Sequence, residues 1–205
     1  MYKAIIFDVD GTIIDTEKVI LRALKRTLEN ELGKTYKEEE LRFVLGIPGE
    51  EALKKLKVPR IKEIHRKWTE AVAEGGGDIS LFAGIEEVIQ HLANGNVRLG
   101  VVTSKLREEL RSEFTPFGLD GHFETMICAD DTCRRKPDPD PLVACMEALN
   151  VKVGETIYIG DSSYDNQSAH AANVDFGLAY WGAKTTEGYQ AEYIFKKPSD
   201  VLCLL

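Results

Sequence analysis

Two aspartates, Asp8 and Asp10, close the apolar run AIIF within the stretch FDVDGT and are followed at once by Gly11. Carboxylates this close raise one another's pKa, and taking them out of water adds to the cost. Side chains two apart in an extended segment face one way, so both carboxylates are expected to reach one point, with Gly11 letting the backbone turn away. A second acidic pair, Asp161 and Asp165, stands in GDSSYD directly after the apolar run TIYIG. Three or four carboxylates brought together would hold a hard divalent cation, and an all-oxygen site with room for water and a phosphate suits Mg2+. Taken singly, a DxD also reads as a solvated turn or a helix start, and Asp161 as a helix N-cap.

Two further sets suit an anion. Thr103 and Ser104 follow the apolar run VRLGVV. Their hydroxyls, with the N–H groups opening the next helix, can hold phosphate oxygens, although capping that helix is the plainer job. Lys136 precedes Pro137, which biases it to extended backbone, and the PDPDP stretch then turns the chain into a helix. A lysine held in this way can present its ammonium to an anion. Arg134 and Arg135 beside it keep a solvated basic loop as the other reading.

These residues need a scaffold, and the alternation of apolar runs with helical stretches supplies one. KAIIF (3–7), VRLGVVT (97–103), ETMICA (124–129), TIYIG (156–160) and VDFGLAY (174–180) read as strands, which predicts an α/β fold with a Rossmann-like, mostly parallel sheet. Ligands of such sheets bind beyond the carboxyl ends of the strands, where all four polar sets fall. The tail EYIFKKPSDVLCLL predicts an edge strand and a helical turn. In DPLVACMEALN, Leu142, Met146 and Leu149 share a helical face, and Ala169, Ala171 and Ala172 are expected to let the helix after GDSSYD pack close to the sheet.

Residues 16–77 break the alternation. Leu21, Leu24, Leu28 and Leu32 mark one apolar helical stripe, and Ile61, Ile64, Trp68 and Val72 another. Thr35 and Glu38 match a capping box for a helix ending at Gly46, Pro59 suits the first turn of the next, and Gly75–Gly77 stops it. We therefore expect a core of residues 1–15 and 80–205 and a small all-helical cap domain of residues 16–79, joined by two crossing strands that form a hinge pair.

The formal net charge of −8 argues against a nucleic-acid partner but not against a small anion met by local positive charge. The N-terminus runs from Lys3 into AIIFDVD with no signal-peptide pattern, and no apolar run approaches the ~20 residues of a membrane span, so a cytoplasmic location is the expectation. Cys128, Cys133, Cys145 and Cys203 form no CxxC pair and read as structural or idle thiols. The sequence specifies no oligomeric state.

In order and over nearly the whole chain, DVDGT, VVTS, the lysine of KPDP and GDSSYD resemble the four motifs of the haloacid dehalogenase-like superfamily of phosphotransferases. The helical insert between the first two is similar to the cap of its phosphoglycolate phosphatase and beta-phosphoglucomutase branch. The resemblance implies Asp8 as nucleophile forming an aspartyl-phosphate, and Asp10 as general acid and then base. It further implies Mg2+ held by the Asp8 carboxylate, the Asp10 backbone carbonyl and Asp161 with Asp165 in support, and phosphate oxygens neutralised by Thr103, the Ser104 amide and Lys136. Three positions depart from the usual pattern: Ser104 stands for Asn, Ala83 for the Pro of Pro-Gly, and Asn173 for a Gly, whose left-handed backbone Asn tolerates.

The expected activity is Mg2+-dependent hydrolysis of a small phosphorylated metabolite, a phosphate monoester. Dehalogenases lack the second Asp of DxD, and sugar-phosphate mutases of the branch tend to carry Glu where Gly160 precedes Asp161, so hydrolysis is favoured over both. A phospho-accepting receiver module shares the acidic site, Ser/Thr and Lys, but not a helical insert of about 60 residues nor a second Asp placed to activate water. Within the cap, LGIPGEE resembles the segment that dips over the active site, which makes Gly46, Ile47, Pro48 and Glu51 candidates for substrate contact; a plain helix connector is the alternative.

Overall fold

The computed structural model describes residues 2–205. Six parallel strands form the main sheet: β1 (Ala4–Phe7), β4 (Arg98–Val102), β5 (Thr125–Ile127), β6 (Thr156–Gly160), β7 (Asp175–Ala179) and β8 (Tyr193–Phe195). Their order is β5-β4-β1-β6-β7-β8. From β1 the chain builds outward through β4 and β5, then crosses to β6 on the other side. The connections therefore diverge beyond the carboxyl end of β1, and a crevice opens there.

β1 is buried along its whole length because the sheet is covered on both faces. Ile5 and Phe7 join one apolar layer, and Ala4 and Ile6 the other, as the two-residue period of a strand requires. The second layer holds α7 (Asp140–Ala148), with Leu142, Met146 and Leu149 inward, and α8 (Ser163–Ala171). Ala169 and Ala172 are buried against it, whereas Ala171 is exposed: the helical period turns it to solvent, against the expectation of three packing alanines.

Two short strands, β2 (Ile14–Asp15) and β3 (Ser80–Leu81), pair antiparallel beside the sheet. Four helices lie between them: α1 (Glu17–Leu32), α2 (Glu38–Leu41), α3 (Gly49–Lys55) and α4 (Ile61–Glu74). α1 and α4 pack through the two predicted stripes, with Leu21, Leu24 and Leu28 facing Ile64, Trp68 and Val72; Leu32 and Ile61, at the ends, are only partly covered. The predicted capping box is displaced. Helix α2 starts at Glu38, and its N-terminal N–H, on Lys37, donates to Glu40 at 2.7 Å, so the glutamate that takes up the N-cap N–H lies two residues beyond the expected one. The helix also ends early, at Leu41, and passes through a 3-10 turn (Arg42–Val44) before Gly46. Pro59 lies outside α4, which begins two residues later.

Candidate active site

Helix α6 (Arg107–Glu113) follows β4, and with the loops after β1, β5 and β6 it encloses the crevice. Asp8 comes directly after β1 and is only 2% exposed. Its Oδ1 accepts from Lys136 Nζ at 2.9 Å. The same ammonium donates to Asp165 Oδ1 at 2.6 Å and to the Tyr158 hydroxyl at 3.0 Å. Lys136 itself is 2% exposed, while Arg134 lies in solvent and Arg135 is half-buried, so the basic loop turns one cation fully inward.

Carboxylate oxygens of Asp8, Asp161 and Asp165 all lie within 4.8 Å of one another. Burial, then the charge of Asp165, pushes the Asp8 carboxyl up to about 7 even with Lys136 beside it. Burial and the other two aspartates raise Asp161 well above the carboxylate range. Lys136 is moved the other way: desolvation favours its neutral form, but Asp165 and Asp8 outweigh this and raise its pKa. Such a set of hard oxygens with too little countercharge fits a divalent cation such as Mg2+. Gly11 keeps the space open. It sits at φ +77°, and a Cβ there would lie 2.1 Å from Asp161 Oδ2.

The three are not equivalent. Asp165 has both oxygens engaged: Oδ1 by Lys136 and by the Tyr158 hydroxyl at 2.7 Å, Oδ2 by the Ser162 amide at 2.9 Å and its hydroxyl. It braces Lys136 and the loop after β6, leaving Asp8 and Asp161 as the carboxylates with freer oxygens. The Asp10 carboxylate does not join the cluster. β1 ends at Phe7, and the chain then turns so that Gly11 N–H donates to the Ile14 carbonyl at 2.9 Å. The two aspartates therefore do not converge as an extended strand would make them. Asp10 Oδ1 instead accepts from Thr16 Oγ1 at 2.7 Å and pairs with Lys105 Nζ at 3.0 Å. Of the metal contacts expected of Asp10, only that of its backbone carbonyl is compatible with this placement.

Thr103 is buried and its hydroxyl accepts the Lys105 N–H at 3.2 Å. Neither Thr103 nor Ser104 caps α6. The expected amides at the start of that helix are already used, Leu106 N–H by Glu109 at 2.7 Å and Arg107 N–H by Asp130 at 3.0 Å. Ser104 Oγ donates to the Gly46 carbonyl at 3.2 Å, which ties the loop after β4 to the helical insert.

Two cavities meet at Asp10 and Gly46. The smaller, about 80 Å3, lies between α4 and α6; the larger, about 400 Å3, reaches Asp161 and Tyr164. Of the loop residues singled out in the sequence, Gly46 lines both and Ile47 the smaller. Pro48 and Glu51 line neither. Pro48 immediately precedes α3, and the Glu51 carboxylate accepts from the Tyr164 hydroxyl at 2.7 Å, with Lys55 Nζ bonded to the same hydroxyl. The Glu51 contact helps seat the insert on the core.

The seat is tight at Gly46, φ +79°, where a Cβ would lie 2.3 Å from Ser162 Cβ. Gly46→Ala is expected to lift the insert from the core and raise KM roughly tenfold or more, with kcat less affected, in steady-state kinetics; an unchanged KM would show that this approach is not needed for binding.

Some members of the site were not singled out from the sequence. Lys105 and Glu113 form a buried ion pair behind Asp10, and Glu109 bridges to the insert through Thr69 Oγ1 at 3.0 Å. A signal existed: Lys105, Glu109 and Glu113 recur every four residues. That spacing ordinarily marks a solvated helix face. Tyr158 carried a weaker one, a polar tip in a buried strand that must find partners.

Residues 5–179 match the haloacid dehalogenase-like hydrolase family. The chain belongs to that family. This hydrolase is 29% identical over 210 residues to pyrophosphatase PpaX of Bacillus velezensis, covering 97% of this chain and 94% of the relative. PpaX of Halalkalibacterium halodurans is also 29% identical, over 204 residues, with the same coverage. A crystal structure from Lactobacillus plantarum, described as a candidate phosphoglycolate phosphatase, superimposes on the hydrolase over 100% of both chains with a TM-score of 0.92 and 32% identity. CbbY of Rhodobacter sphaeroides, solved with phosphate, shares the fold at a TM-score of 0.84 and 23% identity. The four free cysteines lie apart from the acidic cluster, and among the described residues no helix is long and apolar enough to cross a membrane.

Proposed function

We propose that this hydrolase is a Mg2+-dependent phosphatase acting on a small phosphorylated metabolite, a phosphate monoester, through an aspartyl-phosphate on Asp8. The observation that carries the reading is the buried Asp8 carboxylate held by Lys136 within a cluster of acids. Mg2+ bound by Asp8, Asp161 and the Asp10 carbonyl, with Asp165 in support, would supply the countercharge these carboxylates and a phosphoryl group lack.

Asp8 attacks phosphorus as the bond to the leaving oxygen breaks, and Asp10 delivers a proton to that oxygen. Asp10 then takes a proton from water as the water attacks phosphorus and frees Asp8. Thr16 and Lys105 fix the Asp10 carboxylate away from the acidic cluster, which suits a group that must meet the leaving alcohol. Thr103, Ser104 and Lys136 bind the phosphoryl oxygens. The helices of residues 16–79 act as a cap over this chemistry, with β2 and β3 as the hinge pair. The partner in this reading is the small phosphorylated metabolite, and a cytoplasmic setting suits it.

Two observations favour hydrolysis over mutase chemistry and a second substrate over none. A Cβ at Gly160 would lie 2.6 Å from Asp165 Cβ, so a Glu at that position would displace the brace of Lys136. The relatives named pyrophosphatase, matched over 97% of this chain, favour pyrophosphate as the second reading of substrate.

The test is phosphate release from p-nitrophenyl phosphate, present with Mg2+ and abolished by EDTA. A thermal shift checks the metal independently. Carboxyls whose folded pKa is raised lose their stabilising contribution as pH rises from the unfolded value of 3.8 through the folded one, about 7 for Asp8. Mg2+ should therefore raise Tm more at pH 8 than at pH 5.5, where a proton already neutralises Asp8. Equal shifts at both pH values would refute the metal assignment.

A further inference from the structure

The small cavity beside Asp10 has a composition that the phosphatase reading leaves unexplained. Five of the residues on its wall are ionisable: Asp10, Glu109, Glu113, Lys105 and His65. Three are carboxylates, and the one lysine is spent between two of them, Asp10 at 3.0 Å and Glu113 in a buried pair. We propose that the leaving group of the reaction is a short alcohol that carries hydrogen-bond donors, hydroxyl or amine, and no negative charge, and that Glu109 selects against anionic leaving groups. This rests on the phosphatase reading above.

Position argues that the cavity receives the leaving group. Its core-side wall carries Asp10, the proposed proton donor, beside Ser104 of the phosphate-binding set, and its far wall is the insert, with Trp68 and Ile47. Size then limits the occupant. A cavity of 150 Å3 admits benzene, so about 80 Å3 admits roughly three non-hydrogen atoms beyond the bridging oxygen, which stays with phosphorus beside Asp10 until the bond breaks. Beyond that oxygen, ethylene glycol and ethanolamine present roughly three such atoms and glycolate and inorganic phosphate roughly four, so size separates the two pairs only slightly.

Charge separates them. Glu109 cannot swing away to admit an anion. Its Oε2 is tied to the Leu106 amide at 2.7 Å and its Oε1 to the Thr69 hydroxyl at 3.0 Å, with His65 Nε2 at 3.7 Å. An anionic leaving group would have to draw Lys105 from its two carboxylates, while a donor-bearing alcohol finds acceptors already in place. The larger cavity offers no unpaired cation among the described residues, since Arg42 and Lys184 on its wall are both paired with Glu17, and Lys55 with Glu51 at 3.5 Å and the Tyr164 hydroxyl.

With Mg2+ present, kcat/KM is measured for 2-hydroxyethyl phosphate and phosphoethanolamine against phosphoglycolate and pyrophosphate, with p-nitrophenyl phosphate as a control. The first pair should exceed the second by roughly tenfold or more, and Glu109→Gln should narrow that ratio by improving turnover of the anionic pair. Phosphoglycolate or pyrophosphate turned over as fast as the first pair would overturn the inference and leave the phosphatase standing. So would release from the control alone. No release from any of the five would remove both readings. The wild-type ratio decides the matter if the variant does not fold.

Discussion

Asp8→Asn is expected to abolish phosphate release, lowering kcat by at least ~10^4-fold, while the protein keeps a cooperative unfolding transition. The amide is close in shape to the carboxylate but cannot form and then release the phospho-enzyme. Stability should not fall with activity. Burial and Asp165 hold the Asp8 carboxyl at about 7, so at pH 8 the metal-free fold carries this ionised group at a cost, and a neutral amide removes it. Lys136 keeps its bond to Asp165 at 2.6 Å. The variant's Tm at pH 8 without metal should equal or exceed that of the parent, and its response to Mg2+ should shrink. Wild-type turnover in this variant would sink the nucleophile assignment.

Lys136→Met should damage both stability and chemistry. The ammonium is the only cation bonded to Asp8 and Asp165 among the described residues, and all three are buried. Breaking a buried pair by removing one partner costs roughly 3–5 kcal/mol, and losing one electrostatic contact to a transferring phosphoryl group lowers kcat roughly 10^2- to 10^3-fold. The sign with pH follows. Without the ammonium the Asp8 carboxyl is pushed up further, and an acid with a raised folded pKa stabilises the fold below its unfolded value, 3.8, and loses that contribution as pH climbs through the folded one. Urea unfolding should thus show a larger loss at pH 8 than at pH 5.5. A loss independent of pH would mean that Lys136 contributes packing alone.

The strand ends were legible because apolar runs followed by Asp8, Thr103 and Asp161 are local patterns, and a parallel sheet lines such ends along one edge. The stripes of α1 and α4 were legible for the same reason, since a 3.6-residue period needs no knowledge of the partner helix. Asn173 adopts φ +55°, the left-handed backbone its type allows. The start of α2 was misplaced because Thr35 and Lys37 compete for one helix end, and propensity separates such competitors by only about 1 kcal/mol.

By its own spacing, the sequence determined the α/β scaffold, the helical insert and the set of acids and one lysine at the sheet's edge. Only the tertiary structure decided how they divide the work. Asp8 faces Lys136 and Asp10 faces Lys105, because the turn after β1 separates two side chains that a regular strand would have aligned. Asp165 is spent as a brace, since Tyr158 and Ser162 reach it from other parts of the β6 segment. The acidic cavity wall arises where α6 meets α4, bringing Glu109 to Thr69 across 40 positions of sequence. Burial, and not residue type, turned a pattern typical of a solvated helix face into part of the site.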